Sequence, residues 1–209
     1  VLRHALNEGP CDPGNKAFFM GGEGIHAGQG VCLRAARSRD PHLIHIGHCL
    51  HELDFARSTA READEVELAL WYHDAVYNPY SSNNEERGAD WACEFLNRHS
   101  ASADRVARIR SHILATRHAV VPTSPDSQLV VDIDLSILAA GEATYAAFEE
   151  NVRKEYRWVP ALMFRHKRAE MLRSFLDRPL IYNTESFRDR YEAQARRNLA
   201  AAIAALDGS

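Results

Sequence analysis

Long apolar runs are missing from this 209-residue chain. No stretch approaches the roughly 18 residues that cross a bilayer as a helix, so membrane-spanning helices are not expected. Residues Val1 to Pro10 lack the charged start and hydrophobic stretch of an export signal, and a cytoplasmic protein is the expectation. Cysteine is scarce: Cys11, Cys32, Cys49 and Cys93 contain no C-x-x-C pair and are too few for a disulfide framework. A basic block is absent as well. The 25 Lys and Arg are interspersed among 29 Asp and Glu, for a formal charge of −4, whereas a dedicated nucleic-acid binder needs a concentrated positive footprint. Neither a nucleic-acid polymer nor a membrane is therefore expected as a partner. There is no GxxxxGK[ST] phosphate loop, which removes that kind of NTPase. No Ser or Cys stands in a recognisable motif with a histidine, so a covalent nucleophile has no support. Alternating strand patterns are nearly absent too.

What remains is the composition of an ordinary globular domain, 45% hydrophobic and 26% charged, at a length suited to one sizeable core. Residues 1–41 hold most of the glycines, including Gly21-Gly22-Glu23-Gly24, and show no sustained period. That segment is left unassigned. From 42 to 209 helical periodicity takes over, and helices are expected near 42–58, 63–77, 85–98, 102–117, 127–140, 142–157, 160–176 and 184–206. Asn78 to Asn84 reads as a loop. The class is all-α.

Histidine is abundant, with 11 residues, and His42, His45, His48 and His51 recur every third position. Such spacing drifts around a helix and cannot place all four on one face. Phase puts His45 at the edge of the Leu43, Ile46, Leu50, Leu53 stripe, beside Cys49, and turns His48 and His51 outward. His42 is its rival at the helix start. In the second helix Val66, Ala69 and Leu70 mark the inward stripe, which continues at His73 and Tyr77. A buried imidazole beside Asp74 needs a hydrogen-bonded partner or a cation. In the segment 129–138, at about 100° per residue, Val130, Ile137 and Leu138 fall near Asp134, while Asp132 lies on the far side. Asp134 is thus expected to be buried and Asp132 to be a solvated or helix-starting acid. Two histidines and two aspartates from three helices have the nitrogen and oxygen chemistry that suits a divalent ion.

These residues resemble the HD superfamily, named for its adjacent His-Asp, and within it the small bacterial metal-dependent phosphohydrolases. The resemblance rests on Glu67-Leu68-Ala69-Leu70-Trp71-Tyr72-His73-Asp74-Ala75-Val76-Tyr77, Asn84-Glu85-Glu86-Arg87, Ile113-Leu114-Ala115-Thr116-Arg117-His118 and Asp132-Ile133-Asp134-Leu135. It continues through Val152-Arg153-Lys154-Glu155-Tyr156, Arg168, Ile181-Tyr182 and Ala195-Arg196-Arg197-Asn198-Leu199. It covers about residues 45–205. Upstream, where the family shows Arg-x-Tyr-His-x-x-x-His-Ile, this chain reads Arg39-Asp40-Pro41-His42-Leu43-Ile44-His45-Ile46. That departure is expected to reflect divergence or a reading-frame slip, which resequencing the gene separates.

The resemblance implies an HD-domain helical bundle with one divalent metal (Mn, Co, Ni, Fe, Zn or Mg) on His45, His73, Asp74 and Asp134. It also implies hydrolysis of a small phosphorylated substrate, such as a nucleotide. Glu85 is the expected water-orienting base, alongside Asp74, or else a carboxylate at its own helix start. His118, Arg117, Arg153 and Arg168 are candidates for substrate phosphate, each arginine against a structural ion pair. His112 and His118 could serve a second metal, and a diiron oxygenase would depend on it. A metal- and nucleotide-binding sensor without turnover is the rival reading.

Overall fold

The computed structural model describes the backbone of residues 41–208 and the side chains of residues 44–208. The glycine-rich segment, Arg39 and Asp40, and the side chains of His42 and Leu43 lie outside the described residues. Among the described residues there are eight α-helices and no strand, the all-α class expected. Contacts divide the chain into two compact units, one ending at Ile133 and one beginning at Asp134.

The first unit contains α1 (Pro41–Ala56), α2 (Ala63–Tyr72), α3 (Asn84–Arg98), α4 (Ala103–Ala115) and nearly all of α5 (Pro125–Asp134). Ile46, Leu50 and Leu53 of α1 and Val66, Ala69 and Leu70 of α2 are buried, as their spacing predicts. Asp64 and Glu65 stand in the first turn of α2, at the positive end of the helix dipole. Glu65 is buried and accepts two hydrogen bonds from the Arg108 guanidinium, at 2.8 and 2.7 Å. The approach to α2 is fixed by Asp126, whose two carboxylate oxygens accept from the backbone N–H groups of Arg61 and Glu62, at 2.8 and 2.9 Å. In the loop after α2, Asn84 accepts from the Asn78 N–H at 3.0 Å and donates to the Asn78 carbonyl at 3.1 Å. One side chain thereby closes the loop that the sequence predicts.

Two boundaries differ from the sequence expectation. Helix α2 ends at Tyr72, short of Tyr77, so His73 is its C-cap and Tyr77 is no longer on its stripe. Helix α5 ends at Asp134 and the chain continues as the 3-10 helix Leu135–Ala139. The change of pitch overturns the phase argument for the two aspartates, because a 3-10 turn advances about 120° per residue instead of about 100°. Asp132, expected to be solvated, is fully buried, and Asp134 is only half-buried.

The second unit holds that 3-10 segment with α6 (Glu142–Glu155), α7 (Ala161–Leu176) and α8 (Glu185–Asp207). Asn198 of α8 is buried and donates to the carbonyls of Leu138 and Ala140, both at 2.8 Å. The buried Tyr182 hydroxyl donates to the Leu135 carbonyl at 3.1 Å. Arg196 closes the end of α7 by donating to the carbonyls of Leu176, Arg178 and Pro179. The bond to Leu176 satisfies a carbonyl that the helix end leaves open.

Candidate metal centre

His73 carries the most definite local geometry. It is buried, with 3% of its surface exposed, and its Nδ1 lies 2.8 Å from the Leu70 carbonyl oxygen. A carbonyl can only accept, so Nδ1 carries a proton, and Nε2 is the nitrogen that the neutral tautomer would offer to a cation. Metal-binding histidines are oriented in this way, with the other ring nitrogen donating to a backbone carbonyl or a carboxylate. Asp74 Oδ2 is 3.9 Å from His73 Nε2, beyond hydrogen-bond length, and its side chain is about a third exposed.

What Nε2 faces is α1. His45 Nε2 lies 3.2 Å from it, and Cys49 Sγ lies 3.6 Å from His45 Nε2. The candidate ligand atoms of His45, Cys49, His73 and Asp134 all fall within 4.8 Å of one another. This group can hold a metal ion. Three of its four members, His45, His73 and Asp134, coincide with the ligands that the resemblance implies. The fourth is Cys49 instead of Asp74, which lies outside the group. The donors suit a borderline divalent cation: two imidazole nitrogens, a thiol and a carboxylate.

The remaining expected site residues are placed as follows. Glu85 stands half-buried in the first turn of α3. Its neighbour Glu86 forms an ion pair with Arg117, whose guanidinium stays about half exposed. His118 follows α4 with a positive φ of 55°. His112 is buried, its Nδ1 2.8 Å from the Ser127 hydroxyl and its Nε2 without a hydrogen-bond partner. Burial above all lowers its pKa, Arg108 adds to that, and Asp126 and Glu65 oppose it. Neither His112 nor His118 joins the metal group.

Arg153 and Arg168 belong to the second unit. Arg168 makes a fork-on-fork pair with Glu149, at 3.0 and 2.7 Å, with only 10% of its side chain exposed. Arg153 donates to the carbonyls of Tyr156 and Val159 and lies over the Phe164 ring. Its expected structural partner, Glu149 or Glu150, is replaced by backbone.

Sequence reasoning missed two residues that shape the centre. Cys49 was placed beside His45 but not among the donors, although the i, i+4 spacing was the signal. Gly88 of α3 is the other. A Cβ there would stand 2.5 Å from the Tyr72 carbonyl oxygen, so only glycine lets α3 approach the end of α2 so closely.

No family model, curated protein or solved structure matches this chain. Among the described residues, no helix is long and apolar enough to cross a membrane.

Proposed function

We propose that the chain is a metal-dependent phosphohydrolase of the HD type, acting on a small phosphomonoester or phosphodiester such as a nucleotide. The observation that carries this reading is the orientation of His73. Its Nδ1 proton is held by Leu70, and its Nε2 stands 3.2 Å from His45 Nε2 within the candidate ligand group. A divalent ion, when bound, supplies Lewis acidity toward a phosphoryl oxygen and lowers the pKa of a water.

The chain's own residues supply the rest. Burial and the Leu70 bond hold the His73 ring in one orientation. Asp74, whose Oδ2 is 3.9 Å from His73 Nε2 and whose side chain is about a third exposed, is proposed as one carboxylate that takes a proton. Glu85, at the start of α3, is the second carboxylate proposed for that role. Arg117 keeps an exposed guanidinium beside Glu86 and is the best placed of the three arginines to meet a phosphate, since Arg168 is enclosed with Glu149.

The test is metal analysis of the wild type and His73→Ala, paired with a screen for phosphate release from nucleotides and model phosphoesters. The protein is reloaded in turn with Mn, Co, Ni, Mg or Zn. Near-stoichiometric metal in the wild type, lost in the variant, together with metal-dependent phosphate release, is expected. Bound metal with no turnover would turn the assignment to a metal- and nucleotide-binding sensor. No bound metal would end both.

A further inference from the structure

We infer that Cys49 binds the ion through its sulfur, which makes the centre a mixed nitrogen and sulfur site for zinc-class ions in preference to magnesium. The inference rests on the proposed metal binding and names the ion that the site takes. His45 and Cys49 are one turn apart on α1, so their side chains share a face. Cys49 is fully buried.

Burial of a cysteine is ordinary, since the thiol packs as a small hydrophobe. The distances are what distinguish this one. With bonds of about 2.0–2.1 Å to nitrogen and about 2.3 Å to sulfur in a tetrahedral array, two nitrogens stand about 3.3 Å apart, and nitrogen and sulfur about 3.6 Å. The structure has 3.2 Å between the two Nε2 atoms and 3.6 Å between His45 Nε2 and Cys49 Sγ. Both edges match.

An octahedral magnesium site, with bonds of about 2.0–2.1 Å, brings neighbouring donors to about 2.9 Å and is built from oxygen. Sulfur beside an imidazole nitrogen has no place in it. The tautomer of His73 points the same way. With its proton on Nδ1, the Nε2 lone pair faces a second imidazole nitrogen at 3.2 Å. That separation is the one at which two imidazole nitrogens stand on a shared tetrahedral ion, and a soft third donor beside them completes a zinc-type set.

The experiment is cobalt(II) titration of the full chain by absorption spectroscopy, for the wild type, Cys49→Ser, Cys93→Ser and His73→Ala. The wild type is expected to show both the visible ligand-field bands and a near-ultraviolet sulfur-to-cobalt charge-transfer band. Cys49→Ser should keep the first and lose the second, while Cys93→Ser keeps both. Zinc should displace the cobalt and excess magnesium should not. Zinc affinity of Cys49→Ser should fall by more than the roughly 10–100-fold that loss of an outer-shell partner costs.

Cobalt bound by the wild type without the charge-transfer band, or a band that survives in Cys49→Ser, overturns the role of Cys49 and leaves the metal reading standing. Failure of the wild type to bind cobalt or zinc at all overturns both. Should Cys49→Ser not fold, Cys49→Ala takes its place, and absence of the band in the wild type overturns the role of Cys49 by itself.

Discussion

Gly88→Ala isolates the packing that sets the end of α2. The added methyl carbon would sit 2.5 Å from the Tyr72 carbonyl oxygen and 3.7 Å from that of His73. The obstacle is backbone, so no side chain can swing aside; α3 or the last turn of α2 has to move. In an exposed helix the same change would stabilise by about 1 kcal/mol through helix propensity. Overpacking in a filled interior costs about 1–3 kcal/mol, and a contact this short with backbone belongs at the upper end, for a net loss of about 1–2 kcal/mol. For a chain of this length that lowers the thermal midpoint by roughly 2–8 °C. The measurement is urea and thermal unfolding of wild type and variant in excess chelator, so that bound metal does not add to the apparent stability. Metal affinity is then compared, and it should fall in the variant because the displaced segment carries His73. A variant as stable as the wild type, with unchanged metal affinity, would refute the reasoning.

Two further outcomes follow from other parts of the molecule. Asn198→Ala removes the donor shared by the Leu138 and Ala140 carbonyls and should destabilise the protein by about 1–3 kcal/mol, read from urea unfolding. An unchanged midpoint would mean that water replaces both bonds. His112 is held neutral chiefly by burial, with its pKa below the ordinary imidazole value. Protons therefore bind the unfolded chain first as pH falls below about 6.5, and stability is lost between that value and the lowered folded one. His112→Gln should flatten this acid limb, and unfolding midpoints compared at about pH 7 and below 6.5 test it; parallel curves would exclude it.

Periodicity made the eight helices legible because most of them bury one face. The buried residues of α1 and α2 fall where a period of 3.6 places them. The method failed at Asp132 and Asp134 for a definite reason. Helix α5 is enclosed nearly all round, with Leu129 through Ile133 buried, so it has no solvent face against which to take a phase. The switch to a 3-10 turn then broke the extrapolation through Ile137 and Leu138.

For the site, the sequence pointed to His45, His73 and Asp134 because imidazole and carboxylate on inward positions are costly and therefore conspicuous. Cys49 is inconspicuous by the same criterion, since a buried thiol costs little. Asp74 was expected inside the group by adjacency to His73. The structure leaves Asp74 outside the group, 3.9 Å from His73 Nε2 and about a third exposed. Gly88 gave no signal, because the carbonyl it accommodates belongs to a segment 16 positions earlier.

The bond from His73 to Leu70 has a consequence for what can replace this histidine. Leu70 is among the last residues of α2, where carbonyls run out of partners. The imidazole therefore works as a two-ended connector, with one nitrogen finishing the helix and the other presented outward. Turning the ring over about its χ2 axis would exchange Nδ1 for a carbon and strand the carbonyl. The orientation is latched by the termination of the helix itself. Asparagine could imitate the inner nitrogen and glutamine the outer one, but neither spans both ends, so a helix that ends at Tyr72 and a nitrogen facing α1 are a single requirement met by one side chain.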